Sequence, residues 1–230
     1  NSDEVYVVRE MLPPLMETVE LVGYDQEDED FDVGYHEDVV KNILSEVGYE
    51  ARAINEAEAL CYAELEDSDY TGIGISCGAG MTNVCVMLNG EPTVVFSTTK
   101  SGDWVDRMSA VASGEPDSVV QVEKESGDFK VGEPNDNPVL SAVSSYYERL
   151  IEYTAKQLGA ALDGHKALPK FKHPIKIVVA GGTSKANGYV EKLHEKLLAS
   201  DFPLEIEVVK HSDDPLHAVS KGCLIAAQVL

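Results

Sequence analysis

Gly74-Ile75-Ser76-Cys77-Gly78-Ala79-Gly80-Met81-Thr82-Asn83-Val84 is a glycine-rich turn between two apolar runs. The runs predict strands over Thr71 to Cys77 and Thr82 to Leu88, and a third follows over Thr93 to Ser97 after Asn89-Gly90, the strongest short hairpin signal a sequence carries. In the second strand Val84, Val86 and Leu88 share one alternating face and Cys85 and Met87 the other, so the sheet must be covered on both sides, and helices must cover it. The glycines allow a tight turn and let main-chain N–H groups come close to a phosphate, because no Cβ intervenes. Alone, the stretch reads either as an ordinary tight hairpin or as a phosphate loop.

A second turn, Ala180-Gly181-Gly182-Thr183-Ser184-Lys185-Ala186-Asn187-Gly188-Tyr189, follows the continuous apolar strand Ile175 to Ala180 and precedes a helix predicted over Lys185 to about Ala199. A helix N-terminus behind glycines favours anionic or polar ligands through its free amides and its dipole. Gly-Gly-Thr-Ser also reads as a plain helix cap. Two such turns at strand ends in one sheet carry more than either alone.

Further out, Val39, Val40, Ile43, Leu44 and Val47 recur at helical spacing until Gly48 stops them. A strand over Glu50 to Ile54 follows, then a helix from Asn55, a natural N-cap, to about Leu65. Another helix is predicted over Gly102 to about Ala112, and the acidic, Gly/Pro-containing stretch Ser113 to Asn137 reads as a loop or a reduced insertion. Pro138 to about Leu162 carries a long apolar stripe, with Val143, Tyr147, Leu150, Ile151, Thr154 and Leu158. A strand over Glu205 to Val209 and a helix from Pro215 close the chain. Residues 1 to 34 are the least legible: a short strand candidate from Glu4 to Val8, a helix-like stretch to about Val22 and the acidic run Glu27 to Asp30. Strands alternating with helices late in the chain imply right-handed crossovers and a mixed α/β sheet.

Composition sets bounds. Of 230 residues 43% are hydrophobic, enough for one large domain or two small ones. The formal net charge of −23 repels phosphate backbones and anionic lipid, which argues against nucleic acid as a partner. The acidic excess, spread along the whole chain, suits a solvating surface; both a salt-loving source and an ordinary acidic protein fit it, and the preference for Lys over Arg counts against the first. No apolar run approaches the roughly 20 residues of a membrane helix, and Asn1-Ser2-Asp3-Glu4 is neither a signal peptide nor a basic targeting segment, so a cytoplasmic protein without a membrane-spanning segment is expected. The missing initial Met suggests a chain cut from something longer. Cys61, Cys77, Cys85 and Cys223 form no C-x-x-C pair and read as buried free thiols. No His stands at metal-ligand spacing from another, and His211, near Asp213 and Asp214, reads as part of a solvated loop.

The two turns, in this order, resemble motifs of the actin-like ATPase superfamily, which includes actin, MreB, DnaK-type chaperones and sugar kinases. The first is similar to its second phosphate hairpin, Asp-x-Gly-Gly-Gly-Thr-Thr-Asp, and the second to its adenosine turn, Gly-Gly-Gly or Gly-Gly-x-Ser. Ala53-Ile54-Asn55-Glu56-Ala57-Glu58-Ala59 resembles the helix that connects the two domains, usually Glu-Pro-x-Ala-Ala. Ser101-Gly102-Asp103-Trp104-Val105-Asp106 resembles Gly-Gly-x-x-Phe-Asp, and Asp213 to Gly222 looks like the closing helix of MreB-type proteins. The resemblance implies a ribonuclease H-like fold with a mixed five-stranded sheet and helices on both faces. Residues 35–230 would form the second domain, with a reduced insertion at 113–137, and residues 1–34 would be a remnant of the first domain or an insertion. It implies phosphate binding by Gly78, Ala79, Gly80, Met81 and Thr82, adenosine binding by Gly181, Gly182, Thr183, Ser184 and Lys185, and ATP with Mg²⁺ as the ligand of the complete protein.

Four departures qualify it. Ser76 stands where the family has the Asp that assists Mg²⁺ and the attacking water, so hydrolysis should be slow unless another carboxylate, such as Asp103 or Asp106, compensates. Asn83 replaces the second Asp of the motif. No Asp-x-Gly-Thr hairpin precedes residue 71, and no subdomain-sized insertion stands at 113–137. The leading reading is the C-terminal part of an ATP-binding, filament-forming protein with weakened hydrolysis; a non-hydrolysing scaffold and a small-molecule kinase of the same fold are the alternatives. The isolated chain is expected to bind ATP weakly or not at all, to expose an apolar patch where the first domain would pack, and so to self-associate.

Overall fold

Asn89 and Gly90 both have positive φ, 51° and 84°, the left-handed backbone that a two-residue type I′ hairpin requires at its centre. In this computed structural model, which describes residues 4–9, 33–164 and 171–229, that turn joins β4 (Thr82–Leu88) to β5 (Glu91–Thr98), and β4 pairs on its other side with β3 (Gly72–Cys77). The sheet is completed by β6 (Ile175–Ala180) and β7 (Ile206–His211), in the order β5-β4-β3-β6-β7. The first three strands are antiparallel neighbours, whereas β6 runs parallel to β3 and β7 parallel to β6. It is the mixed five-stranded sheet the sequence implied.

Alternation along the strands builds two separate cores. Ile73, Ile75, Val84, Val86, Ile177 and Val179 face α3 (Gly102–Ser113), α4 (Asp117–Ser126), α5 (Pro138–Gly164) and α6 (Tyr189–Ala199). Cys85, Met87, Val178 and Ala180 face α2 (Glu56–Glu64) and α7 (Ala218–Val229). On the second face α2 lies unusually close to its neighbours. A Cβ on Gly74 of β3 would stand 2.5 Å from the Ala57 carbonyl oxygen, and one on Gly222 of α7 would stand 1.7 Å from that of Ala59. Glycine at both positions lets the helix sit between strand and helix with backbone against backbone.

Local signals account for the helix starts. Asn55 caps α2, its Oδ1 accepting from the Ala57 amide at 2.8 Å, as its identity predicts. Asn137 does the same for α5, accepting from Val139 N at 2.9 Å, and Pro138 fills the first helical position, where no amide is needed. The α5 stripe of Val143, Tyr147, Leu150, Ile151, Thr154 and Leu158 is buried throughout.

The structure departs from the sequence reading in two places. Within 113–137, read as a loop, lies the ten-residue helix α4, stopped by Gly127 at φ 74°. It is docked by Val120, fully buried, and by Lys124, whose Nζ is 2.7 Å from Asp106 Oδ2. Phe129 and Val131, after it, also enter the core. The helix predicted from Lys185 begins only at Tyr189, because the chain first makes a 3₁₀ turn over Gly182–Lys185 and then passes Gly188 at φ 83°. The strand predicted over Glu50 to Ile54 forms as β2 (Glu50–Asn55), outside the main sheet. It pairs in parallel with β1 (Glu4–Arg9), from Glu4 opposite Glu50 to Arg9 opposite Asn55, and α1 (Val33–Glu46) lies between them in the chain. The helix-like stretch to Val22 and the acidic run Glu27 to Asp30 lie outside the described residues.

Candidate functional site

The two glycine turns touch. Ser76 and Ala180 are partners in the β3–β6 register, so the chain leaves both strands side by side. A Cβ on Gly181, at φ 93°, would be 2.2 Å from the Cys77 carbonyl oxygen. The Gly78 amide closes the hairpin onto Met81 O at 2.9 Å. The Gly78 carbonyl then accepts from Thr183 Oγ1 at 2.7 Å, Ser101 Oγ at 2.5 Å and Gly102 N at 3.3 Å. One carbonyl therefore ties together the β3–β4 hairpin, the start of α3 and the turn after β6. From the far side His211 Nε2 donates to Ser184 O at 2.7 Å, since a carbonyl only accepts. His211 is the last residue of β7 and half-buried; the solvated-loop reading is corrected, because strand pairing with β6 carries this side chain to the turn.

The residues expected to touch ligand divide into two kinds. Thr82, Thr183 and Ser184 are buried and their hydroxyls are engaged within the protein: Thr82 Oγ1 lies 3.1 Å from both Lys100 O and Ser101 Oγ, Thr183 holds Gly78, and Ser184 Oγ donates to Gly181 O at 2.8 Å. Met81 is buried too. Ala79, Gly80, Gly182 and Lys185 are exposed, and among the described residues nothing accepts from the amides of Ala79, Gly80 or Gly182. A Cβ on Gly80 or Gly182 would meet nothing within 4 Å, and neither has a left-handed backbone. No contact within the protein asks for glycine at either place.

The carboxylate beside the hairpin is Glu56, the first residue of α2. Its Oε2 accepts from Ser76 Oγ at 2.9 Å and from Asn83 Nδ2 at 3.3 Å, and Asn83 Oδ1 in turn accepts from Ser97 Oγ at 2.5 Å. Among the described residues Oε1 has no partner. The sequence reading looked to Asp103 or Asp106 instead. Asp106 lies with the α3–α5 helices on the opposite face of the sheet, bound to Lys124, and burial raises its carboxyl above the ordinary Asp range. Asp103 is exposed, and its amide is tied to Ala79 O at 2.9 Å. Glu56 had a signal in sequence, since it stands at the Glu of the Glu-Pro-x-Ala-Ala motif; what hid it was Glu58 two residues on, with nothing local to separate the pair. Beneath the hairpin, Cys77 Sγ and Tyr189 OH are 3.3 Å apart and both fully buried, and burial pushes the thiol up to about 12. Such a thiol is inert at neutral pH. No group of three or more His, Cys, Asp or Glu arranged to hold a metal occurs among the described residues.

This architecture, a ribonuclease H-like sheet whose two glycine turns share one end, is the fold of the actin-like ATPase superfamily. Solved structures with it include the MamK double helical filament, 21% identical, TM-score 0.67, matching 85% of this chain and 65% of that one. Ethanolamine utilization protein EutJ from Carboxydothermus hydrogenoformans is 17% identical with a TM-score of 0.53 over 80% of this chain and 59% of that one. A non-polymerising MamK mutant bound to AMPPNP is 22% identical with a TM-score of 0.61 over 83% and 64%. The chain thus spans less than two thirds of the length of each. Residues 24–227 match the family model described as Volactin, and the chain belongs to that family. No curated protein matches it in sequence.

Proposed function

We propose that this chain is the second-domain part of an actin-like protein that binds Mg-ATP, hydrolyses it slowly and assembles into filaments. One observation carries the reading: Ala79, Gly80 and Gly182 present exposed amides without a partner among the described residues, on two turns clamped together through Gly78, and glycine stands at two of the three where no described contact requires it. Amides grouped in this way suit a polyphosphate, which accepts hydrogen bonds and offers no donor. Mg²⁺, a hard ion that keeps several waters and takes its other ligands from phosphates, fits a site where Glu56 places a carboxylate beside the hairpin. Neighbouring structures lend support at the level of the fold: MamK forms a filament and a non-polymerising mutant of it holds AMPPNP.

The β1–α1–β2 segment supports a domain boundary at Asn55-Glu56 rather than near residue 34, because β2 bonds to β1 and not to the main sheet. Val40 and Ile43, on one stripe of α1, are exposed, as are Val47 and Tyr49 just after it. We read this surface as the place where the rest of a first domain packs, so that the complete protein closes the cleft over the nucleotide. Ser76 and Asn83, in place of two acids, favour one second reading, a nucleotide-binding scaffold that does not hydrolyse. Sedimentation of the full-length protein with and without Mg-ATP, with phosphate release followed in parallel, tests both. Nucleotide-dependent pelleting with slow release fits the first reading, pelleting without release fits the second, and neither binding nor pelleting would falsify both.

A further inference from the structure

Ser97, Asn83, Ser76 and Ala180 form a row across four strands, each opposite the next in register. Their level is the last at which β3 pairs with β6, and one step short of the Cys77–Thr82 pair from which the hairpin turns. The first three are polar and at most 2% exposed, on the face where α2 packs. A polar row in an otherwise apolar layer needs partners, and it has them in one chain of hydrogen bonds whose directions are fixed by chemistry. Glu56 ionised only accepts, so Ser76 must donate to Oε2 and Asn83 must turn its Nδ2 towards the same oxygen. That leaves Asn83 Oδ1 facing β5, where Ser97 Oγ, 2.5 Å away, can only donate.

We propose that Asn83 and Ser97 are positioning residues that aim the Glu56 carboxylate. Ser97 locks the amide, the amide and Ser76 hold Oε2, and Oε1, without a partner among the described residues, is directed to accept a hydrogen bond from the water that attacks the terminal phosphate. The step balances as ordinary hydrolysis. Water oxygen forms a bond to phosphorus as the bridging P–O bond breaks, Oε1 orients the water and takes its proton, and the proton passes to solvent as ADP and phosphate leave. Ser76 and Asn83 in place of acids then have a purpose. Both present a donor to Oε2, whereas a carboxylate at either position would offer that oxygen only a second acceptor. The inference rests on the nucleotide reading above and deepens it.

The test uses full-length protein and Mg-ATP. Ser97→Ala frees the Asn83 amide to flip, and Asn83→Asp replaces the donor with a like charge. Each is expected to lower kcat on the order of 10-fold to 100-fold, the scale of an orientation effect, while KM moves less than about 3-fold. Ser97→Thr, which keeps the hydroxyl in a strand-favouring residue, is expected to restore kcat. A purely structural row would instead lower the melting temperature and leave kcat of the folded fraction unchanged, and that result overturns the proposal. So does wild-type protein that binds Mg-ATP without hydrolysing it, an outcome that leaves nucleotide binding standing. If Ser97→Ala does not fold, Asn83→Asp, nearly the same shape, gives the decision. Absence of any nucleotide binding in the wild type sinks the functional reading itself.

Discussion

Single side chains in this protein owe their roles to which sheet face they enter. Asp106 and Glu56 are both acids near a helix start, yet one is spent on docking α4 and the other reaches the hairpin. Burial raises the Asp106 carboxyl above its ordinary value, and this outweighs the pull of Lys124. A raised folded-state value means that the stability it contributes is complete below the unfolded value and fades as pH climbs through the folded one. Asp106→Asn should therefore gain on wild type in unfolding midpoint as pH rises from 4 to 7; a gap that stays constant or shrinks would contradict this. The thiols follow the same logic. Cys61, Cys77 and Cys85 are buried, and partly buried Cys223 is pushed up to about 11. Alkylation of the native protein at pH 7.5 is expected to modify Cys223 slowly and the other three only on unfolding. The sequence showed the thiols to be unpaired and apolar in setting. It could not separate Thr183 as a clamp from Thr183 as a ligand contact, because that depends on where the Gly78 carbonyl points.

Elements that bury a full stripe were legible, and those that bury one residue were not. For α5 six stripe positions enter the core and Asn137-Pro138 marks the start, so the prediction and the structure agree to within two residues at its end. By contrast α4 buries only Val120, with Val119 and Val122 exposed. A β-branched cluster in an acidic stretch gives no helical period, and what holds the helix is a contact with α3. The α6 start was misplaced for another reason. Gly182-Thr183-Ser184 satisfies a capping pattern, but Gly181 must pass within contact of Cys77, and a 3₁₀ turn makes that passage. Packing of α2 leaves the least slack. Gly222→Ala would set a Cβ into the Ala59 carbonyl, an immovable backbone atom, and is expected to cost about 1–3 kcal/mol, the range for overpacking. Denaturant unfolding measures it, and a loss below about 0.5 kcal/mol would show that α7 shifts freely.

At the scale of the whole molecule, a net charge of −23 on 230 residues repels itself, and the compact state suffers more than the unfolded one because its charges are closer. Raising KCl from 0.1 to 1 M shortens the screening length from about 10 to about 3 Å and should raise the melting temperature; no rise, or a fall, would mean that local ion pairs outweigh the overall repulsion. The mixed character of the sheet could be reached from sequence because hairpin signals make β3 to β5 antiparallel neighbours and the later alternation of strand and helix implies crossovers to parallel strands. The separate pairing of β1 with β2 could not, since a parallel pair is joined through a distant crossover and carries no local turn signature. The most direct measurement of the central claim is calorimetric titration of Mg-ATP into the full-length protein and into its Gly80→Val and Gly182→Val variants, at positions where an added Cβ meets no described atom within 4 Å. The result expected is binding by the wild type that weakens at least 10-fold, about 1.4 kcal/mol, in both variants without change in their unfolding midpoints; equal affinity in all three proteins would contradict it.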